Sequence, residues 1–411
     1  MKGRVENPLS RSISKPLLLF IDLLIIILVL FGYNLIIGGH TSSELEVLTL
    51  GLIAFLIIMS GHIASILLVP VAIIEIMLGM IASGFGAKPS EGLLLLSNIG
   101  ANLLLFMAGS EIDIRLLKRR AYHSVILGSI SFLISSIIAI IIYLKFELSV
   151  GALLILIAGF SATSVALTYS ILKSSGLLST RQGQLALTSA MIADLIGMLL
   201  LSIATASIDP IILFYIVILM GVLAIGPLLP RISGSPFEFE IRLVTMAIIV
   251  LGVASEIIGM HSVLTSFILG VVVSETVRNR KILQEKLESM ATGFFTPFFF
   301  IVSGMKVDPT LMLNSIFMVL VVGLCVALLK MLPSYIYFKH IIGASPWRST
   351  ILSASQVPLL TVTIIASEAG IMLDLIDNSL YNTLMGVVIV TSIISTVISS
   401  RYSRRHGGKL F

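Results

Sequence analysis

Residues 105–113 read LFMAGSEID, and a similar run, FIVSGMKVD, occupies residues 300–308. Each run has an apolar stretch, a small residue, a glycine, two further residues, an aliphatic residue and an aspartate. A second pair precedes them in the same order, IMLGMI at 76–81 and FILGVV at 267–272. Together the two pairs predict that the chain contains an internal repeat.

The composition places this repeat in a membrane. Of the 411 residues, 57% are hydrophobic and 11% are charged, and the mean hydropathy is +1.12. A soluble domain of this size carries more charge on its water-facing surface. Apolar runs of about 20 residues, enough to cross a bilayer as helices, recur from Pro16 almost to the C-terminus. The sequence therefore predicts an all-α polytopic membrane protein, and the single Cys325 excludes a disulfide framework and a zinc cluster.

We predict about fourteen transmembrane helices, numbered as spans 1 to 14. Their ranges are 17–37, 46–67, 69–85, 91–110, 121–144, 149–172, 184–205, 209–229, 241–259, 262–275, 290–305, 310–338, 347–369 and 379–400. Basic residues in short loops stay cytoplasmic. With both termini cytoplasmic, all but four of the 26 lysines and arginines lie on that side; Lys88, Lys145 and Lys306 lie outside and Lys330 lies within span 12. The basic loops thus indicate the cytoplasmic face of a plasma-membrane protein, and we expect no nucleic-acid partner.

The repeat relates span 3 to span 10 and span 4 to span 11. Seven spans separate the members of each pair, so the two copies enter the membrane from opposite sides. Secondary transporters use such inverted-topology repeats to build alternating access around a site near the membrane midplane. On this map span 5 corresponds to span 12, span 6 to span 13 and span 7 to span 14.

Spans 6 and 13 are the places where helical continuity is weakest. Span 6 contains GFSATSVAL at 159–167, and span 13 contains SASQVPLLT at 353–361. Proline removes a backbone hydrogen bond, and unwound backbone inside a membrane must be buried in protein or line a wet cavity. Small residues also serve close helix packing. Their presence at corresponding places in both copies favours two crossed, broken helices.

Ionisable side chains inside the spans are the candidate functional groups. Burying a charge at the bilayer centre costs about 2.5–3.5 kcal/mol on insertion scales, so such groups usually face a cavity or a partner. Asp194 lies near the middle of span 7, Lys330 in the inner half of span 12 and Glu75 within span 3. The alternatives are a structural carboxylate for Asp194, snorkelling toward the cytoplasm for Lys330 and a non-functional position for Glu75.

A carboxylate in a partly desolvated cavity can bind a proton or a hard cation, and the two compete. Competition combined with alternating access gives antiport. The predicted cation- and proton-binding residues are Asp194, Ser161, Thr163 and Ser164, and the predicted supporting residues are Lys330, Gln356, Ser355 and Glu75.

Three longer runs resemble a known family. They are LLLFMAGSEIDIRLLKR at 103–119, EIIGMHSVLTSFILGVVVSE at 256–275 and GFFTPFFFIVSGMKVD at 293–308. From about Leu48 to Arg401 the chain resembles the monovalent cation/proton antiporters, the branch that contains bacterial sodium/proton antiporters and the membrane domain of Kef-type potassium efflux proteins. The resemblance implies the sodium/proton antiporter fold, with Asp194 as the residue that binds the transported cation and the proton in turn.

The same resemblance implies a domain plan and a partner. Residues 1–44 form an additional N-terminal helix, 45–401 the exchanger domain and 402–411 a short basic cytoplasmic tail. Within the exchanger domain, helices of about 91–205 and 290–400 form a core that moves against a dimerisation domain. Lys330 corresponds to a basic residue of the family, and a homodimer is expected. The expected partners are a monovalent cation, a proton and the lipid bilayer; neither a cofactor nor enzymatic activity is expected.

Two departures from the family pattern bear on the mechanism. Many members have Asp-Asp or Asn-Asp where this chain has Ala193-Asp194, so we predict electroneutral exchange of about one cation per proton. SQVPLLT stands where Kef-type proteins often have Gly-Glu-Phe, so both Na+ and K+ stay open as substrates. The alternative functions are a sodium-coupled organic-solute symporter of similar architecture and an ungated Kef-like potassium efflux channel or transporter.

Overall fold

The structure is a computed structural model that describes residues 15–36, 42–67, 69–110, 114–205, 237–257, 262–278 and 280–405. These residues form helices and no strand. The helices are α1 (Lys15–Ile36), α2 (Ser42–Leu67), α3 (Val71–Gly84), α4 (Glu91–Ser110), α5 (Ile114–Phe146), α6 (Val150–Ser161), α7 (Val165–Ser174), α8 (Arg181–Thr205), α9 (Phe237–Ile257), α10 (Ser262–Arg278), α11 (Lys281–Met290), α12 (Thr296–Met305), α13 (Pro309–Asn314), α14 (Ile316–Ile336), α15 (Pro346–Ala354), α16 (Thr361–Met372) and α17 (Asn378–Arg405). Single π-helical turns follow α11 and α14, at Ala291–Phe295 and Tyr337–Ile341.

The predicted all-α membrane class is confirmed. Eight described stretches of helix are long and apolar enough to cross a bilayer, and shorter apolar helices accompany them. The count of fourteen spans stays a prediction, and span 8, at 209–229, lies outside the described residues.

Two differences from the predicted boundaries change the arrangement of helices. The loop predicted between spans 10 and 11 contains α11, whose Leu283 and Leu287 are buried while charged residues of the same helix are exposed. Span 12 is divided into the short α13 and the long α14. Asp308 caps α13, since its carboxylate accepts hydrogen bonds from the backbone N–H groups of Thr310 and Leu311 at 2.8 and 3.1 Å.

The described helices pack in two groups. The first group is α1–α4 with α9–α12, in which α4 packs on α10 and α3 on α12. The second group is α5–α8 with α14–α17, in which α5 packs on α8 and α14 on α17, and α13 connects the groups. The predicted domain ranges stay a prediction. The predicted core of about 91–205 and 290–400 included α4 and α12, which pack on helices of the first group.

The repeated glycines lie where the first group is packed most closely. A Cβ on Gly109 of α4 or on Gly270 of α10 would collide with backbone of the facing helix. The same holds for Gly79 of α3 and Gly304 of α12. Each of these glycines belongs to one of the repeated sequence runs, so a run from one half of the chain packs against a run from the other half. Only residues without a side chain allow membrane helices to approach this closely.

Candidate cation site

The break between α6 and α7 consists of the segment that follows Ser161. Here Ala162 and Ser164 have extended backbone, and the Ser164 hydroxyl caps α7 by accepting a hydrogen bond from the backbone N–H of Leu167 at 3.4 Å. A serine at this position satisfies one of the free N–H groups that begin a helix. The predicted break in span 6 is confirmed, and it leaves polar backbone at the centre of the second helix group.

The break between α15 and α16 crosses the break between α6 and α7. Pro358 within this segment has no N–H to donate, and its carbonyl accepts a hydrogen bond from the backbone N–H of Ser164 at 2.9 Å. The hydroxyl of Thr163 donates to the carbonyl of Gln356 at 3.3 Å, and that of Thr168 donates to the carbonyl of Ser355 at 2.7 Å. The two unwound segments therefore bond to each other, as predicted for a crossed pair.

Lys330 reaches this crossing from α14. Its side chain has no exposed surface, and its ammonium donates to the carbonyl of Ala162 and, at 3.0 Å, to the hydroxyl of Thr163. Snorkelling toward the cytoplasm is therefore excluded. The Ala162 carbonyl belongs to the C-terminal end of α6, where the aligned peptide dipoles concentrate partial negative charge. Lys330 thus provides a hydrogen-bond donor for the Ala162 carbonyl, and its positive charge compensates the partial negative charge at the end of α6.

Asp194 lies in the middle of α8 and is buried, with 6% of its surface exposed. Gly197, one turn further on, faces Ala162 of the first broken helix and Val362 of the second, so this part of α8 packs against the crossing. Within the described residues no side chain donates a hydrogen bond to the Asp194 carboxylate, and Lys330 is not within 4.0 Å of it as an ion pair. The alternative of a carboxylate satisfied by a neighbouring hydroxyl therefore has no donor in the described part of the chain.

Gln356 joins the second break to the helix that carries Asp194. Its side-chain amide donates to the carbonyl of Ala186 at 3.0 Å and accepts from the hydroxyl of Ser189 at 3.0 Å, both on α8. Gln356 has 1% exposed surface, so these bonds are shielded from water. Ser189 was not among the predicted residues, although it stands five positions before Asp194.

The remaining predicted residues are placed differently. Ser161 is buried at the end of α6, and its hydroxyl bonds to that of Ser136 on α5 at 2.9 Å. The Ser355 hydroxyl donates back to the carbonyl of Leu352 in its own helix at 2.8 Å. Glu75 is not brought to the crossing: it lies on α3 in the first group and accepts a hydrogen bond from Ser60 of α2 at 3.3 Å. Depth along a span, which the sequence gives, does not fix the direction in which a residue faces.

The crossing of the two broken helices brings together one acidic and one basic side chain of the described residues. Among the described residues at the crossing, Asp194 is the acid and Lys330 the base. Around them are hydroxyl and carbonyl oxygens, which are the ligands that hard cations prefer. Such a site can hold a cation or a proton on one carboxylate.

Known proteins that are similar to this chain include cation/proton antiporters. The family profile described as "Sodium/hydrogen exchanger, transmembrane" matches residues 51–403. The chain is 30% identical over 352 residues to the "Probable Na(+)/H(+) antiporter 3" of Methanocaldococcus jannaschii, covering 80% of this chain and 89% of that protein. It is 25% identical over 337 residues to the "Na(+)/H(+)-K(+) antiporter GerN" of Bacillus cereus, covering 79% and 86%.

A solved structure has the same fold. The sodium proton antiporter MjNhaP1 of Methanocaldococcus jannaschii superposes with a TM-score of 0.60 at 21% identity, covering 87% of this chain and 95% of that chain. The family profile spans most of the sequence, including both broken helices. The chain belongs to the sodium/hydrogen exchanger family.

Proposed function

We propose that the protein is a secondary active antiporter that exchanges a monovalent cation, Na+ or K+, for H+ across the membrane. The observation that carries the proposal is the buried Asp194 carboxylate on the part of α8 that packs against the crossed breaks, with no hydrogen-bond donor among the described side chains. A carboxylate in this setting gains a partner when it binds either a proton or a cation, because a bare buried charge is costly. The names of the relatives support the same activity.

Charge counting favours electroneutral exchange. As long as the protonation state of Lys330 is the same in both forms, the proton-bound and cation-bound forms of Asp194 carry the same net charge. Ala193, buried beside Asp194, adds no second titratable group. One cation then exchanges for one proton, and the membrane potential does not drive the reaction.

Oxygen atoms of the first break are the proposed additional ligands. The hydroxyl of Thr163 also accepts a hydrogen bond from Lys330, that of Ser164 lies in the same unwound segment, and that of Ser161 lies at the end of α6 directly before it. Hydroxyl and carbonyl oxygens suit both Na+ and K+, and GerN is named for both cations. We therefore keep both as candidate substrates of this chain.

Alternating access is proposed to come from movement of the second helix group against the first. The reciprocal glycine contacts of α4 with α10 and of α3 with α12 support an inverted repeat, which is the usual basis of such movement. The proposal includes a homodimer in the plasma membrane, as the family resemblance implies. Both termini are placed in the cytoplasm because the distribution of basic residues favours that orientation.

Exchange in liposomes tests the function. Protein reconstituted with an internal pH dye is given an imposed Na+ or K+ gradient, and we expect proton movement in the opposite direction. Asp194→Asn should abolish it, since an amide cannot bind the proton, whereas Asp374→Asn, on an exposed residue after α16, should leave it unchanged. Retained exchange in Asp194→Asn would reject the proposed site. Cation flux without proton movement would favour a channel, and dependence on an added organic solute would favour a symporter.

A further inference from the structure

Glu368 is a carboxylate inside the helical bundle that the proposed exchange site does not use. It lies on α16, four residues before the helix ends, and its side chain is 12% exposed. One carboxylate oxygen accepts a hydrogen bond from the hydroxyl of Ser303 at 2.5 Å, and the other lies 3.1 Å from the ammonium of Lys306. Ser303 lies on α12 and Lys306 directly follows it, so Glu368 joins the second helix group to the first.

Two more hydrogen bonds lie at the same place. The hydroxyl of Tyr381 on α17 donates to the backbone carbonyl of Ser303 at 2.9 Å. The backbone N–H of Asp308, in the turn after α12, donates to the side-chain carbonyl of Asn382 at 2.9 Å. The end of α12 is therefore held by polar contacts to both α16 and α17.

This concentration of polar contacts is local. In the part of the chain that the structure describes, the side-chain hydrogen bonds seen between the two groups all lie at this end. The neighbouring Val307 is 1% exposed and packs in the apolar core that contains residues of both groups. Any movement that separates the groups here must break the contacts of Glu368 and expose Val307.

The ion pair has properties suited to reversible opening. The Lys306 side chain is 32% exposed, so its ammonium can be hydrated when it leaves Glu368. A pair that is partly open to water costs far less to separate than a deeply buried one, whose desolvated charges would be left unpaired. When the pair opens, the Glu368 carboxylate becomes available to water or to a cation in the opened passage.

We propose that Lys306, Glu368 and Ser303 form a clamp that closes the pathway to Asp194 on the outer side and opens once in every transport cycle. The inference rests on the proposed exchange by relative movement of the two helix groups. Lys306 is placed outside by the distribution of basic residues. Glu368 and Lys306 are thus positioning residues, which set the balance between outward-closed and outward-open states without binding the cation at Asp194.

Thiol labelling tests the clamp without any transport measurement. In a Cys325→Ala background, Val307→Cys places a reporter beneath the clamp, and a membrane-impermeant maleimide reports its exposure in liposomes. We expect slow labelling in this parent, and labelling at least roughly fivefold faster with Lys306→Gln or Glu368→Gln, because charge-assisted contacts of this kind are lost. The charge-swapped K306E/E368K variant should restore slow labelling. Lys145→Gln, on an exposed residue in the last turn of α5, and Glu147→Gln, on an exposed residue directly after that helix, serve as matched controls and should label like the parent.

Equal labelling in all variants would overturn the clamp, and so would a charge swap that labels as fast as the single variants. A transport arm uses K306C/E368C in the Cys325→Ala background, bridged by a short bifunctional methanethiosulfonate. Exchange should stop on bridging and return on reduction; undiminished exchange in bridged protein would show that the clamp need not open. A wild-type protein that exchanges no cation for protons contradicts the proposed function instead, and the labelling result still decides whether the clamp exists.

Discussion

Lys330 on α14 and Thr163 in the unwound segment after α6 are joined by a hydrogen bond of 3.0 Å. The same ammonium donates to the carbonyl of Ala162 at the end of α6. One charged side chain from a neighbouring helix therefore stabilises the break that forms one wall of the site. The break and the lysine must be considered as one unit.

Removal of Lys330 should destabilise the fold. Lys330→Ala leaves the Ala162 carbonyl without its donor in a buried place, and an unsatisfied buried acceptor costs about 1–3 kcal/mol. We expect a lower Tm for the variant in detergent, measured by fluorescence-detected thermal unfolding. Lys145→Ala, at an exposed position, should unfold like the wild type, and equal Tm values for Lys330→Ala and wild type would contradict the capping role.

Introduction of a second carboxylate should change the coupling ratio. Ala193→Asp places an additional titratable group next to Asp194, so one turnover can carry an extra proton. Exchange by this variant should become sensitive to an imposed membrane potential, while Ala193→Asn, of similar size and uncharged, should stay insensitive. The measurement compares exchange rates with and without a potassium ionophore that sets the voltage. Wild-type exchange that already responds strongly to voltage would reject the electroneutral scheme.

Gln356 should act together with Ser189. Gln356→Ala removes both contacts to α8 that link the second break to the helix of Asp194. If these hydrogen bonds stabilise the transporting arrangement of α8 by about 1–1.5 kcal/mol, their loss slows exchange roughly tenfold. Because the two side chains share one hydrogen bond, adding Ser189→Ala to Gln356→Ala should have less effect than Ser189→Ala alone in the wild type. Strictly additive effects of the two substitutions on the exchange rate would show that Gln356 does not act through its hydrogen bond with Ser189.

Asp308 gives a pH-dependent contribution to stability. The hydrogen bonds from the backbone N–H groups of Leu311 and Thr310 hold the pKa of this exposed carboxyl below its ordinary value. A lowered pKa in the folded state means that the stabilisation is present above the ordinary pKa and is lost as the pH falls through the lowered one. Asp308→Ala should therefore lower Tm at neutral pH and have a smaller effect in strong acid. An equal Tm difference at both pH values would contradict this assignment.

The sequence predicted the breaks because their causes are local. A proline at 358 and runs of small polar residues near 161–164 weaken helices wherever they stand, and their matched positions in the repeat reinforced each other. The α11 helix was missed because its charged residues made the segment read as a loop. The spacing of Leu283 and Leu287, one helical turn apart, was the available signal.

The direction of buried side chains could not be predicted. Lys330 and Glu75 both lie within apolar spans, yet Lys330 turns to the crossing and Glu75 turns to α2. Glu368 was not predicted because it stands near the end of a span, where a solvated charge is usual, and its partners on and directly after α12 are more than sixty positions away. Rotation of a helix about its axis depends on its tertiary neighbours, which span boundaries do not contain.

The apparent KM for Na+ as a function of pH, measured on the cation side of reconstituted liposomes, tests the central claim that cation and proton share Asp194. If one carboxylate binds both, acidification raises the KM, by up to about tenfold per pH unit once the proton outcompetes the cation, while the maximal rate at saturating cation changes less. A KM that stays constant while the rate falls with pH would contradict a shared site.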